Sequence, residues 1–324
     1  MLTHSTYGNR STFGMKSASI RHTWILYYLL VLLFSFIGDM TILIASIKYK
    51  AFKLHNFIIA VMQHIAVCDM AVCTFWVFPR VISLIADQWI LGEQFCQIQP
   101  YMMYYFGTAC LLLTCAMAVS KLSILTFPLR SRYLTPEKSH QVCAVVWAVS
   151  WNVPITFLDG VDVCFDLRTY SCDFIAPNTT SSLLISTVLN LVIPNVLVVT
   201  STSLIVIHLL KARRAARRSN GQERWQGIFT TICTAVLYTV SVVPLTIYCF
   251  AMSFAVTSEP GLNRISFFHY HFYRFATAII LLNILANFFI HSLTVLSFRK
   301  FLLSGIKQIE SLVFGTSEEN LTNV

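Results

Sequence analysis

The chain alternates between long apolar stretches and short segments that carry most of its charges. An α-helix needs roughly 20 mostly apolar residues to cross a hydrocarbon core about 30 Å thick, and seven stretches approach or exceed that length. The predicted spans are residues 24–47, 57–78, 98–119, 142–158, 183–210, 228–256 and 275–297. The fourth is short and Pro244 interrupts the sixth, but membrane helices tolerate proline. The pattern predicts an all-α membrane protein built as a seven-transmembrane helix bundle.

Composition supports this fold class. Hydrophobic residues make up 56% of the 324 residues, charged residues only 11%, and the mean hydropathy is +0.68. A soluble domain carries about 25% charged residues, and a disordered chain needs low hydrophobicity. No nucleophile and base occur together with a metal or cofactor signature. We therefore expect neither a soluble protein nor an enzyme, and no metal ion held by a dedicated cluster.

Basic residues predict the orientation. Sixteen Lys and Arg residues lie near the helix ends on one side and seven on the other, and the richer side is cytoplasmic. The N-terminal tail, residues 1–23, is then outside, the bundle spans residues 24–297, and residues 298–324 form a cytoplasmic tail. The basic run at residues 211–218 meets anionic lipid or a protein, so the net charge of +9 does not indicate nucleic acid. We expect a multi-pass plasma-membrane protein.

The predicted outer side carries candidates for covalent modification. Glycosylation sequons begin at Asn9 and Asn178. Cys96 begins the third span, while Cys164 and Cys172 lie in the loop after the fourth, and this side is the oxidising one. A disulfide from Cys96 to either loop cysteine ties the loop over the bundle. We favour Cys172 because it lies closer to the fifth helix.

Several residues, taken in chain order, resemble rhodopsin-like (class A) G-protein-coupled receptors. They are the string WILGEQFC at residues 89–96, Trp147, Pro194, Pro244, Asn283 and Asn287. The string FRKFL at residues 298–302 resembles the start of the family's short amphipathic eighth helix. The resemblance covers nearly the whole chain, and it implies a ligand on the outer side and a heterotrimeric G protein on the inner side.

The chain departs from the family pattern where the G protein is expected to bind. Ser120-Lys121-Leu122 stands in place of Asp-Arg-Tyr at the inner end of the third helix, and Lys lacks the planar donor fork of Arg. Residues 287–291 read NFFIH in place of Asn-Pro-x-x-Tyr, so His291 replaces the tyrosine. By resemblance, the coupling surface also includes Arg130, Arg213 and Arg214.

Two aspartates lie inside predicted spans, where ionisable residues point to function. Asp69 matches the aspartate that, in the family, can hold a sodium ion, with Asn283 and Asn287 as partners. Asp39 stands where the family nearly always has Asn. If the first two helices pack as in the family, two buried like charges do not both ionise, and the pair shares a proton. Alternatively, a protonated Asp39 only replaces the amide as a hydrogen-bond donor.

The outer helix ends bear on the ligand class. Met103 stands where amine receptors carry a counterion, and residues 275–297 contain no Lys for retinal, so neither ligand is expected. The outer ends instead offer Arg80, Tyr101, Tyr104, Tyr273 and Arg274. The two arginines suit a carboxylate or phosphate. Equally, aromatic and Arg side chains at this depth form an interfacial anchoring belt.

The sequence thus predicts a receptor that binds a small molecule or peptide and activates a G protein. The altered inner motifs favour a second candidate, a coupling-poor receptor that scavenges ligand or modulates another receptor. A transporter or channel is disfavoured, because internally repeated halves and a chain of membrane carboxylates are missing.

Overall fold

The computed structural model describes residues 18–48, 56–127, 135–152, 163–167, 169–174, 180–215, 221–258, 265–294 and 303–304. The proposed glycosylation sites Asn9 and Asn178 lie outside these ranges, as do Arg130 and almost all of the predicted eighth helix. In α5 and α7, defined below, the side chains of Arg213, Arg214, Asn287 and His291 also lie outside the described part of the chain.

The described chain contains seven long helices and one β-hairpin. The helices are α1 (Ala18–Lys48), α2 (Asn56–Val72, Cys73–Val77 and Phe78–Ala86), α3 (Glu93–Thr126), α4 (Pro136–Val149), α5 (Thr180–Thr187, Val188–Val192 and Ile193–Ala215), α6 (Gly221–Ser258) and α7 (Ile265–Thr294). The hairpin strands are β1 (Val163–Asp166) and β2 (Ser171–Phe174). The predicted seven-helix bundle is confirmed. Five segments are long and apolar enough to cross a membrane: Ser19–Ser46, Phe57–Ala86, Glu93–Thr126, Leu184–His208 and Ile232–Ala251.

Two helices contain a π-helical turn just before a proline. In α2 the turn Cys73–Val77 precedes Pro79, and in α5 the turn Val188–Val192 precedes Pro194. Proline lacks the N–H that would bond four residues back, and its ring clashes with that carbonyl. A wider turn accommodates both effects while the helix continues.

Six of the seven helices pack as a closed ring, and α4 packs against α2 and α3. Helix α1 contacts α2 and α7, α2 contacts α3 and α4, α3 contacts α5, and α6 contacts α5 and α7. Polar residues such as Asp39, Asp69 and Arg80 are buried, while large apolar side chains such as Leu26 and Ile85 are exposed. This distribution is the reverse of a soluble protein and matches a bundle surrounded by lipid.

The hairpin lies over one end of the bundle, which we call the hairpin end. Its strands are antiparallel, with Cys164 opposite Asp173 and Phe165 opposite Cys172. The disulfide joins Cys172 to Cys96 at the start of α3, which confirms the preferred pairing. Successive strand residues point to opposite faces, so Cys164 shares a face with Asp173 and points away from Cys96.

A polar contact chain ties the first two helices to the hairpin. Asp87 follows α2 and forms an ion pair of 3.1 Å with Arg21 of α1. The same carboxylate accepts a hydrogen bond of 2.6 Å from the hydroxyl of Tyr170 in the hairpin turn. The hairpin is therefore held at two places, by the disulfide to α3 and by Asp87.

We predict that Cys172→Ser destabilises the protein while Cys164→Ser does not. The native bond closes a segment with a sequence separation of 76, and its loss releases chain entropy worth about 2–4 kcal/mol. Thermal unfolding of the purified protein in lipid nanodiscs measures both variants. Equal melting temperatures for Cys172→Ser and wild type would contradict a structural role for the bond.

Candidate functional site

The hairpin end contains a cluster of polar side chains from four helices and the hairpin. We call it the hairpin-end cluster, and its members are Tyr28, Arg80, Gln99, Ser171, Asp173 and Tyr273. All except Asp173 are buried, and Asp173 is half-buried. Loops and strands at the end of a rigid helix bundle are typical places for a binding site.

Arg80 is the central residue of this cluster and is only 2% exposed. It lies one residue after Pro79, so the π-helical turn of α2 precedes it directly. Its Nη1 atom donates to the Tyr28 hydroxyl at 3.2 Å, and Nη2 donates to Ser171 Oγ at 3.1 Å. The guanidinium also lies 5.0 Å from the ring centroid of Trp76, a cation–π distance.

The charge of Arg80 has no ion-pair partner among the described residues. Its Nε atom is buried without a hydrogen-bond acceptor in the described part of the chain. Asp173 acts on Arg80 electrostatically but lies beyond ion-pair contact. Buried charges are ordinarily paired, whereas both hydrogen bonds of Arg80 go to neutral hydroxyl groups.

Asp173 is the acidic member of the cluster. Its carboxylate accepts a hydrogen bond of 2.9 Å from the backbone N–H of Phe174. Burial raises its pKa to about 6, although that N–H and the charge of Arg80 both lower it. The Tyr273 hydroxyl is near enough to lower the pKa as well, but it does not reach standard hydrogen-bond geometry.

Aromatic side chains surround the cluster. Tyr101 and Tyr104 pack on Phe174 with ring centroids 4.7 and 5.5 Å apart, respectively. Tyr273 packs at 5.2 Å on Tyr248 from α6. Tyr101 and Tyr104 are half-buried, so solvent reaches this wall.

The sequence-predicted ligand residues separate into two groups. Arg80, Tyr104 and Tyr273 all lie close to Asp173. Arg274 instead lies over the ring of Trp24 at 4.4 Å, and Met103 packs into the apolar cluster around Trp76. Both arginines of the expected pair lie over aromatic rings, but they contact different ones, Trp76 for Arg80 and Trp24 for Arg274.

A second site lies in the middle of the bundle. Asp39 and Asp69 are 3% and 1% exposed, and both line a cavity of about 20 Å³, room for about one water molecule. Asn283 of α7 lines the same cavity. The structure thus brings together three of the four residues predicted for an ion or proton site.

The hydrogen bonds in this cavity are unevenly distributed. Cys110 Sγ donates to Asp69 Oδ1 at 3.1 Å. Asp39 Oδ2, the Tyr238 hydroxyl and Asn283 Oδ1 are buried without partners among the described residues. Tyr238 also lines this cavity. It was not predicted from the sequence, because it lies far along the chain from both aspartates.

The other end of the bundle contains the altered third-helix motif. Ser120, Lys121 and Leu122 are half-buried near the end of α3. Ser120 Oγ donates to the Ala116 carbonyl at 2.6 Å, and no described carboxylate forms an ion pair with Lys121. The charge lock of the usual family motif is therefore absent from the described residues.

Comparison with known proteins identifies the class. The family model described as "7 transmembrane receptor (rhodopsin family)" matches residues 38–291. The chain belongs to this family, whose members are receptors rather than enzymes and generally need no cofactor. It is a multi-pass membrane protein of the G-protein-coupled receptor class.

Individual relatives are distant. The chain is 27% identical to neuropeptide Y receptor type 5 from Rattus norvegicus over 39% of this chain and 28% of that receptor. It is 25% identical to an isotocin receptor from Catostomus commersonii over 54% of this chain and 46% of the receptor. A Gq-coupled rhodopsin from Mizuhopecten yessoensis is 26% identical over 46% of this chain and 30% of the rhodopsin. The matched parts thus span less than half of each of these relatives.

We predict that Asp173 makes the fold more stable in mild acid. Its pKa is about 6 in the fold and about 4 in an unfolded chain. Between these values the folded chain holds a proton that the unfolded chain lacks, so this stabilisation is complete below about pH 4 and is lost as pH rises through about 6. Melting temperatures measured between about pH 4 and about pH 6 test whether stability falls as the pH rises.

Asp173→Asn is expected to remove this contribution, because the amide does not titrate. Glu137→Gln, which removes a carboxylate at an exposed position near the start of α4, serves as the matched control. The same pH dependence in wild type and Asp173→Asn would show that another group is responsible.

Proposed function

We propose that this protein is a cell-surface receptor that binds a small-molecule or peptide ligand at the hairpin end and activates a heterotrimeric G protein at the opposite end. The observation that carries the proposal is the hairpin-end cluster, a buried, donor-rich site covered by a disulfide-anchored hairpin. Membership of the receptor family supports the second half of the proposal.

The hairpin end faces the outside in this account. The distribution of Lys and Arg supports a plasma-membrane topology with the N-terminus outside, and the disulfide is consistent with an oxidising compartment. Glycosylation at Asn9 and Asn178 follows from the same topology.

Activation is a population shift. A ligand that binds the active arrangement more tightly than the inactive one moves the equilibrium by that difference in affinity. The active arrangement opens a pocket at the inner end of α6. Lys121, Arg130 and the arginines at the end of α5 supply its positive charge, which the G protein contacts.

The names of the relatives are compatible with a peptide ligand and with a small-molecule ligand. One is named as a neuropeptide Y receptor and another as a rhodopsin. Residues 275–297 contain no lysine for a retinal Schiff base, so a visual pigment is disfavoured. The second candidate function, a coupling-poor scavenger or modulatory receptor, is favoured by Lys121 and His291 in the altered motifs.

The core cavity regulates this equilibrium. Asp39 and Asp69 share one proton, because two carboxylates on a water-sized cavity repel each other when both ionise. A protonated Asp39 acting only as a structural hydrogen-bond donor is the competing role. A sodium ion at Asp69, with Asn283 and Asn287 as partners, is the other occupant that this polar cavity suits.

We expect the wild-type chain to accelerate guanine-nucleotide exchange on at least one G protein. A panel of purified heterotrimers is mixed with membranes containing wild type, the Lys121→Arg, His291→Tyr double variant, or empty vector. The double variant restores the arginine donor fork and the phenol, so it is expected to be at least as active as wild type.

The outcomes separate the two candidate functions. Exchange above the empty-vector control in wild type supports the signalling receptor. Exchange only in the double variant supports the coupling-poor receptor instead. If neither wild type nor the double variant raises exchange above the empty-vector control, and surface expression is confirmed, the result would contradict G-protein activation without an added ligand.

We also expect Asp39→Asn to change how basal exchange depends on pH. The amide removes one of two titrating groups but keeps a similar shape and hydrogen-bonding capacity, so the shared proton is lost. Exchange by wild type and by the variant is compared between about pH 6 and 8. Parallel profiles would rule out proton sharing and leave Asp39 as a structural donor.

A further inference from the structure

Arg80 is a buried cation whose two hydrogen bonds go to neutral hydroxyl groups. Tyr28 and Ser171 accept one hydrogen bond each, and no described carboxylate lies within ion-pair distance. A hydrogen bond to a charged acceptor is about twice as strong as one to a neutral acceptor. Arg80 is thus stabilised less than a buried arginine that hydrogen-bonds to an anion.

The guanidinium of Arg80 has more N–H donors than it has acceptors among the described residues. A guanidinium has five N–H donors, and two are used here. The three that remain include Nε–H, which is buried without an acceptor in the described part of the chain. Nε–H and the adjacent Nη–H form the side edge of a guanidinium, which can bind a carboxylate through two parallel hydrogen bonds.

Two neighbouring side chains show the same excess of donors. Gln99 is 1% exposed, and its Oε1 accepts from the backbone N–H of Cys172 at 3.0 Å, while its Nε2 has no partner among the described residues. The Nε1 atom of Trp76, which packs against Arg80, is also buried and unpartnered in the described chain. Three unsatisfied donors around one hairpin indicate that an acceptor-rich group belongs there.

We propose that the hairpin-end cluster binds the carboxylate of an organic-acid ligand, with Arg80 as the counterion. The inference rests on the proposed receptor function and specifies the ligand chemistry of that site. The carboxylate displaces the Ser171 hydroxyl, which holds the guanidinium in the ligand-free protein, and the half-buried rings of Tyr101 and Tyr104 pack on the apolar part of the ligand. A small acid and the C-terminus of a peptide present the same group.

Asp173 makes this binding dependent on pH. Both the ligand carboxylate and Asp173 lie near Arg80, so an ionised Asp173 repels the ligand, and its pKa of about 6 places this change in mild acid. The groups that face Asp173 from the other elements are Arg80, Tyr104, Asp166, Cys249 and Tyr273. Arg80 is the only cation among these groups, so the net charge favours a singly charged ligand over a phosphate dianion.

The experiment uses matched acid and amide probes on the purified full chain in nanodiscs. The small-acid pair is benzoate and benzamide, and the peptide-like pair is N-acetylphenylalanine and its amide. Melting temperature is recorded with each probe at about pH 5 and about pH 8. Probe concentrations reach about 10 mM, above the millimolar Kd expected of a fragment.

We expect at least one acid to raise the wild-type melting temperature by about 3 °C in acid and by less at the higher pH, while its amide has no effect. Arg80→Met removes the shift. Asp173→Asn retains Arg80 and shows the full shift at both pH values, so the test does not depend on whether Arg80→Met folds. If only one of the two acids stabilises the protein, that acid shows whether the site prefers a small acid or a peptide C-terminus.

Equal shifts with acid and amide, a shift that persists in Arg80→Met, or no shift with either acid would overturn the proposal. The measurement needs no G protein. Nucleotide exchange without acid binding therefore rejects the carboxylate ligand but supports the receptor function. Acid binding without exchange supports the carboxylate ligand but counts against G-protein activation.

Discussion

The absence of water in a hydrocarbon core determines this structure. Every backbone N–H and C=O group there needs a partner within the protein, so each crossing segment is a helix. Lipid accepts the apolar side chains, such as Leu26 at 58% exposure, and polar side chains turn inward. Asp39, Asp69 and Arg80 are therefore concentrated inside the ring of helices, and the candidate sites follow from this inversion.

Helix α3 connects the three regions. Its hairpin end holds Gln99, which hydrogen-bonds to the hairpin beside the disulfide. Its middle supplies Cys110 to Asp69 and Thr114 to the lining of the core cavity. Its far end carries Lys121. A ligand that shifts the hairpin therefore acts on the same rigid element that contacts the core aspartates, and that continuity is a physical basis for coupling between the two ends.

The sequence predicted features that depend on composition or short spacing. Hydrophobic length identified the bundle, and the small number of cysteines on one side limited the disulfide to two pairings. Features that depend on three-dimensional register were missed. Asp173 became visible as a site residue only because the fold places it near Arg80, Tyr104 and Tyr273. The link from Trp147 through His64 to His140, with contacts of 3.2 Å, depends on helix rotation, which apolar spans do not determine.

The proposed function requires that the bundle opens at its inner end when a G protein binds. The most direct test is a distance measurement between spectroscopic labels at Phe127, beside the end of α3, and Ile232 of α6, made in nanodiscs. Nucleotide-free heterotrimer is expected to add a population with a longer distance, and added GTP is expected to remove that population. An unchanged distance distribution with bound heterotrimer would show that the inner end does not open.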